Sequence, residues 1–162
     1  GTGCQGMLVD RCQFLSNEQA LPVNQRKSLV LNSNANDVKL RDNRVVRFMA
    51  FAVIGGTGSV ISGNHWFHGD DTTNGVRKGG LILTTPNPMA LIVGNYIDNN
   101  FIEWTNEHDA TPAWNSQFSF GGLTVTGNIF PVINVAPWFN WCVVKPYGPG
   151  HYLHGLAFTN NV

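Results

Sequence analysis

Asp70 and Asp71 adjoin one another in a stretch that also carries His65, His68, Arg77 and Lys78. Neighbouring carboxylates beside basic groups suit acid–base work on a glycosidic bond: one protonates the leaving oxygen while the other activates water or attacks. The same run, Asp-Asp-Thr-Thr-Asn-Gly, is also dense in turn formers, so a plain turn is the alternative. A second cluster, in 99–120, holds Glu103, Trp104, Glu107, His108, Asp109 and Trp114. Carboxylates interleaved with tryptophans suit a saccharide site, where rings stack on sugar faces and carboxylates bond hydroxyls; packing of Trp104 and Trp114 against the body of the protein is the alternative. A third cluster, in 131–155, is rich in rings: Trp138, Phe139, Trp141, Tyr147 and Tyr152. Such rings serve as a sugar platform, the cover of a cleft or a subunit interface. The candidate catalytic carboxylates are therefore Asp70, Asp71, Glu103 and Glu107, and the candidate substrate-binding side chains are His65, Arg77, Tyr96, Trp104, Trp138 and Trp141. His65 and His68 stand three apart, which on an extended strand turns them to opposite faces, so no metal is expected there. No cofactor is expected either.

The elements that position these clusters come from an internal repeat. Val38-Lys-Leu-Arg-Asp-Asn43-Arg-Val45, Ser59-Val-Ile-Ser-Gly-Asn64-His-Trp66, Ala90-Leu-Ile-Val-Gly-Asn95-Tyr-Ile97, Leu123-Thr-Val-Thr-Gly-Asn128-Ile-Phe130 and Leu156-Ala-Phe-Thr-Asn-Asn161 share one pattern, and Met7-Leu-Val-Asp-Arg-Cys12-Gln-Phe14 fits it with Cys for Asn. The marker residues are separated by 31, 21, 31, 33 and 33 positions, the spacing of a solenoid with variable loops. Five and three places before the marker the residues are mostly apolar, and two places before it stand Asp10, Arg41, Ser62, Val93, Thr126 and Thr159, mostly polar, so each repeat begins with a strand. After the marker the parity changes: Phe14, Val45, Trp66, Ile97 and Phe130 stand two places beyond it. A tight bend must absorb that slip, and Asn preceded by Gly, Asp or Asn tolerates the positive φ it needs. Stacked repeats would join the Asn amides into a ladder. An antiparallel sandwich or barrel also repeats short strands and Gly/Asn turns, but has no reason to break parity at one place in every repeat.

The pattern, over residues 7–162, resembles the pectin-lyase-like right-handed parallel β-helix with its Asn-bearing bend. The resemblance implies an all-β, right-handed parallel β-helix of about six coils with long loop excursions, in a single domain spanning 1–162. It implies a partner too, a polysaccharide, because pectate lyases, polygalacturonases, alginate epimerases and phage tailspikes share this fold. Extracellular or virion-associated placement and a homotrimer are in keeping with it. Polygalacturonases draw their carboxylates from Asn-Thr-Asp and Asp-Asp motifs, with Gly-His-Gly and Arg-x-Lys on later coils. This chain has only Gly69-Asp70-Asp71; Gly150-His151 is followed by Tyr152, and Arg77-Lys78 lacks the intervening residue. A noncatalytic structural or adhesive fibre segment is the alternative to a glycan hydrolase or lyase. The pattern stops abruptly at Asn161-Val162, so a piece of a longer protein is expected.

Composition narrows the field. Charged residues are 12% of the 162 and sum to no net charge, against roughly 25% in ordinary domains, so nucleic acid is not an expected partner. No apolar run approaches the roughly 18 residues of a membrane span. Nine of the ten Lys and Arg lie at or before Lys78, while Asp98, Glu103, Glu107 and Asp109 follow, which predicts an acidic patch in the middle. Cys4, Cys12 and Cys142 are too few and scattered for a disulfide framework or zinc site. Cys4 and Cys12 are near enough in sequence to pair, and buried free thiols are the alternative that the residue type favours. Because excursions leaving the same corner of adjacent coils end as neighbours, Asp70 and Asp71 are expected to approach Glu103 and Glu107 across one groove. Crowded carboxylates of that kind raise one another's pKa, which keeps one protonated as an acid.

Overall fold

The structure is a computed structural model and describes residues 3–15, 27–33, 35–46, 50–67, 81–85, 87–98, 101–105, 118–131, 142–145 and 151–162. Among them there is no helix, and every strand pairing is parallel. That removes the antiparallel sandwich, whose neighbours would run in opposite directions. Each sheet takes strands from successive repeats. The first, of six strands, runs β1 (Leu8–Asp10), β4 (Lys39–Arg41), β7 (Val60–Ser62), β10 (Ala90–Val93), β14 (Leu123–Thr126) and β17 (Leu156–Thr159). The second runs β2 (Gln13–Leu15), β5 (Arg44–Val46), β8 (His65–Phe67) and β11 (Tyr96–Ile97), and is continued by a bridge from Tyr96 to Ile129.

A third sheet lies outside the repeat pattern that the sequence displays. It comprises β3 (Lys27–Ser33), β6 (Ala50–Gly55), β9 (Leu81–Leu83), β12 (Ile102–Thr105) and β15 (Cys142–Lys145). A two-stranded sheet joins β13 (Phe118–Phe120) to β16 (His151–Leu153). Each expected excursion therefore contains strand: β8 and β9 bound the first, β12 and β13 belong to the second, and β15 and β16 to the third.

Register carries the alternation from repeat to repeat. Ile92 faces Ile61 on one side and Val125 on the other, so like residues stack upon like. The columns five and three places before the marker are buried in the middle repeats, as Val38, Leu40, Ile61, Ala90, Ile92, Leu123 and Val125. Val45, Trp66, Ile97 and Phe130 complete that core from beyond the bend, and Ala52, Ile54, Leu81, Leu83, Ile102 and Trp104 from the third sheet. Ser59 occupies the inward column as well, and its Oγ is buried with no hydrogen-bond partner.

The bend itself is held by the markers. Asn43, Asn64, Asn95 and Asn128 are all buried. The Nδ2 of each donates to the Oδ1 of the next, at 2.9 Å from Asn43 to Asn64, 3.0 Å to Asn95, 2.9 Å to Asn128 and 2.9 Å to Asn161. Each Oδ1 also accepts the marker backbone N–H of the preceding repeat, as from Asn64 to Asn95 at 2.9 Å. The second Nδ2 proton of Asn95 goes to the Ile61 carbonyl at 3.1 Å. The amide of Asn95 thus fills all four of its bonds inside the protein. Cys12 takes the first position with its backbone N–H alone, donating to Asn43 Oδ1 at 3.0 Å.

Positive φ does not belong to the markers, as the bend chemistry had allowed, but to the residue before each: Arg11, Asp42, Gly63, Gly94, Gly127 and Asn160, with φ from 50° to 65°. A second such column stands five residues earlier, at Gly6, Asp37, Gly58, Met89, Gly122 and Gly155. Each strand of the first sheet is therefore bracketed by two left-handed corners. Met89 is the misfit, an unbranched side chain at φ 44° that is 65% exposed. An L-residue there costs about 1–2 kcal/mol that glycine avoids.

Two substitutions test these corners. Asn95→Ala strips partners from Asn64, Asn128 and the Ile61 carbonyl and is expected to lower unfolding free energy by about 2–4 kcal/mol. Met89→Gly removes left-handed strain and little buried surface, and should raise stability by about 0.5–1 kcal/mol. Urea titrations of both variants give the two signs directly; an unchanged midpoint for Asn95→Ala would contradict the ladder.

Candidate functional site

Parity across the second sheet decides which side chains reach water. Val45, Trp66, Ile97 and Phe130 point inward, so the residues on either side point out. One outward column runs Gln13, Arg44, His65, Tyr96 and Ile129 in register over five repeats. Its neighbour, two residues along, contains Leu15, Val46, Phe67 and Asp98. His65 and Tyr96 therefore meet on adjacent strands, with ring centroids 4.7 Å apart and planes at 73°. The ring of Phe67 stands edge-on to His65 at 5.6 Å. Tyr96 is 36% exposed and Ile129 45%, so a ring and an aliphatic surface are open to solvent side by side. The imidazole is wedged between two rings, and its Nε2 is buried without a hydrogen-bond partner. Ring packing, not a polar bond at that nitrogen, sets its orientation.

Glu103 and Trp104 lie elsewhere, in β12 of the third sheet. Trp104 is completely buried and belongs to the core, and its Nε1 donates to the Thr85 carbonyl at 2.9 Å. A ring with no exposed face offers none to a sugar, so the packing alternative holds for Trp104. Glu103 points away from the core residues Ile102 and Trp104 but is only 1% exposed, and its strand neighbour Ile82 is buried as well. At Glu103 and Ile82, therefore, the outer face of this sheet is covered. Asp98 is buried too, so of the expected acidic patch the two described carboxylates are both withdrawn from the surface. Asp70, Asp71, Arg77, Glu107, Trp138 and Trp141 lie outside the described residues, and with them the expected groove of four carboxylates.

Among the described residues, exposed charge is concentrated at the first two repeats. Arg41 donates to both oxygens of Asp10, Nε to Oδ1 at 2.9 Å and Nη2 to Oδ2 at 3.0 Å, across neighbouring strands. Arg11 adds a third bond, Nε to Oδ2 at 3.0 Å. These bonds, Arg41 first, hold the Asp10 carboxyl down to about 2 from an ordinary 3.8, against the opposing effect of partial desolvation. Lys39 pairs with Asp37 at 3.3 Å. Beyond Gly56, the formally charged side chains that are described, Asp98 and Glu103, are both buried. No group of three His, Cys, Asp or Glu side chains among the described residues could hold a metal ion. Cys4 and Cys12 are free thiols, and Cys12 is exposed rather than buried, its Sγ donating to the Asp10 carbonyl at 3.3 Å.

The exposed members of the site were visible in the sequence only as the offset one beyond the marker. Ile129 and Phe67 were missed because neither is a residue type that announces chemistry. No helix among the described residues is long and apolar enough to cross a membrane. No family model, curated protein or solved structure matches the chain.

The Asp10 cluster gives a pH dependence of known sign. A carboxyl held lower when folded contributes stability in full above its unfolded value near 3.8 and loses it as pH falls through about 2. Carboxyl-detected NMR titration should therefore place the Asp10 midpoint near 2 in the native chain. In Arg41→Gln it should rise toward 3.8, and acid unfolding should lose part of its dependence across that window.

Proposed function

We propose that the chain is a right-handed parallel β-helix of the pectin-lyase-like kind that binds a polysaccharide along its flank. The fold reading is supported by sheets that each take a parallel strand from successive repeats, and by an Asn ladder at one bend. The observation that carries the binding reading is the open ring of Tyr96 braced by His65, with Ile129 beside it on the next repeat. Sugar rings present patches of C–H on their faces, and these stack against aromatic and aliphatic surface while the hydroxyls stay in water. Parallel strands advance by about 4.8 Å per repeat, so a polymer laid along the column meets a new side chain at each step. This is an arrangement for recognising an extended chain rather than a single sugar.

Hydrolysis is a separate matter from binding. It would need one protonated and one ionised carboxyl at the bond, the roles assigned to Asp70, Asp71, Glu103 and Glu107. The burial of Glu103 keeps that carboxyl from an open flank. We therefore place recognition on the Tyr96 column and leave chemistry to the Asp70, Asp71 and Glu107 carboxylates.

A polysaccharide panel tests both. Retention of at least one polymer is expected, with Tyr96→Ala weakening it about tenfold while the melting temperature stays nearly constant, since the ring is partly exposed. Trp104→Ala is the contrast: it should cost about 3–5 kcal/mol of stability through the core cavity it leaves. Release of reducing ends that disappears in Asp71→Asn identifies a hydrolase, and retention without release identifies a binding module. If Tyr96→Ala binds every polymer as the native chain does, the column is not the site.

A further inference from the structure

We infer that Met89 and His154 form a binding site for a soft monovalent cation, Cu(I) or Ag(I), over the paired glycines Gly121 and Gly122. The site lies at the corner that opens each strand of the first sheet, at the other end of those strands from the Asn bend and the Tyr96 column. Three repeats build it. Met89 stands at the left-handed corner of one repeat, Gly122 at the same corner of the next and Gly155 at that of the one after. The backbone pins them in register: Ala90 N–H donates to the Gly122 carbonyl at 2.8 Å, and Gly122 N–H to the Gly155 carbonyl at 3.1 Å. His154, just before Gly155, continues the register of β13 and β16, which sets it beside Gly121.

Both side chains lean over the middle repeat. A Cβ built on Gly122 would stand 2.5 Å from Met89 Sδ, and one built on Gly121 would stand 2.8 Å from His154 Nε2. Each donor thus fills the space that a side chain at one of the glycines would take. The outer two repeats are two strand spacings apart, about 10 Å, and the thioether and the imidazole reach into that interval from opposite sides, over consecutive residues. Neither is sealed in: Met89 is 65% exposed, and His154 is exposed as well. Met89 also carries its long side chain at φ 44°, in a column where four of the six corner residues are glycine, and strain of that kind belongs to ligand clamps. Donor chemistry selects the ion. A soft thioether and a neutral imidazole suit Cu(I) and its congener Ag(I), and suit poorly the hard, oxygen-seeking Ca2+ and Mg2+. A bound ion would tie the repeat of Met89 to that of His154 across the one between them.

Titration of the full chain with Ag(I), and with Cu(I) kept reduced by ascorbate, tests the site through the NMR signals of the methionine methyls and histidine rings. Resolution by residue is needed because the exposed Cys12 thiol also takes soft ions. The Met89 methyl and the His154 ring signals should move together, with one affinity, while the Met7 methyl stays still. Met89→Leu should weaken the response at His154 by at least about tenfold, and His154→Gln the response at Met89 by as much. Both variants keep the glycines and alter exposed side chains, so their melting temperatures without the ion should stay close to the native value. Ca2+ and Mg2+ are expected to move neither signal. Separate affinities at the two residues, or a shift at one that survives loss of the other unchanged, would overturn the site, and so would uptake of the ion by the thiols alone.

Discussion

Four hydrogen bonds converge on the side-chain amide of Asn95, two accepted by Oδ1 from Asn64 and two donated by Nδ2 to Ile61 and Asn128. The rest of the architecture depends on that saturation. A tight bend between two strands turns backbone groups away from any sheet partner, and an unmet buried group costs about 1–3 kcal/mol. The amide meets the debt of its neighbour: the marker N–H of one repeat has nowhere to donate except the Oδ1 of the next. Every bend is thus completed only by the repeat beside it, which fixes register at one point per turn. Once register is fixed there, like columns stack on like, and the apolar core and the outward columns follow from parity alone.

The two left-handed corners per repeat show what a single sequence does and does not reveal. The corner before the marker was legible because Gly, Asp and Asn stand at five of its six positions. The corner five residues earlier has Gly or Asp at five of its six positions as well, with Met89 the exception, but a varied residue rather than Asn follows it, so nothing draws the eye. The third sheet was hidden for a different reason. The chain takes three residues, 47–49, to pass from β5 to β6, and thirteen, 68–80, from β8 to β9. A periodic search aligned on the markers smears strands that arrive at such different offsets, so they read as excursions.

Site residues separated along the same line. His65 and Tyr96 lie one place beyond a marker, within the legible frame, so their outward direction and their meeting on adjacent strands followed from the repeat. Glu103 and Trp104 lie in the sheet the frame does not cover. Their types, a carboxylate beside an indole, pointed to a sugar site, yet the same pair satisfies strand alternation with the indole turned inward. Residue type alone does not choose between those readings; parity against Ile102 does, and that needed the sheet.

Columns also constrain what such a surface can recognise. On a helix or a loop, neighbouring surface residues are chosen almost independently, but here an outward position is repeated at every strand spacing, and its chemistry is felt as a stripe. Like charges stacked at about 4.8 Å would repel one another along the stripe, so a run of charges in such a column needs opposite charges beside it. The first two repeats meet that condition, with Asp10 between Arg11 and Arg41 and with Lys39 against Asp37. In the later repeats the outward columns of the first two sheets carry Tyr96, Ile129, Leu91, Val93, Thr124 and Thr126, none of which sets a formal charge against its neighbour.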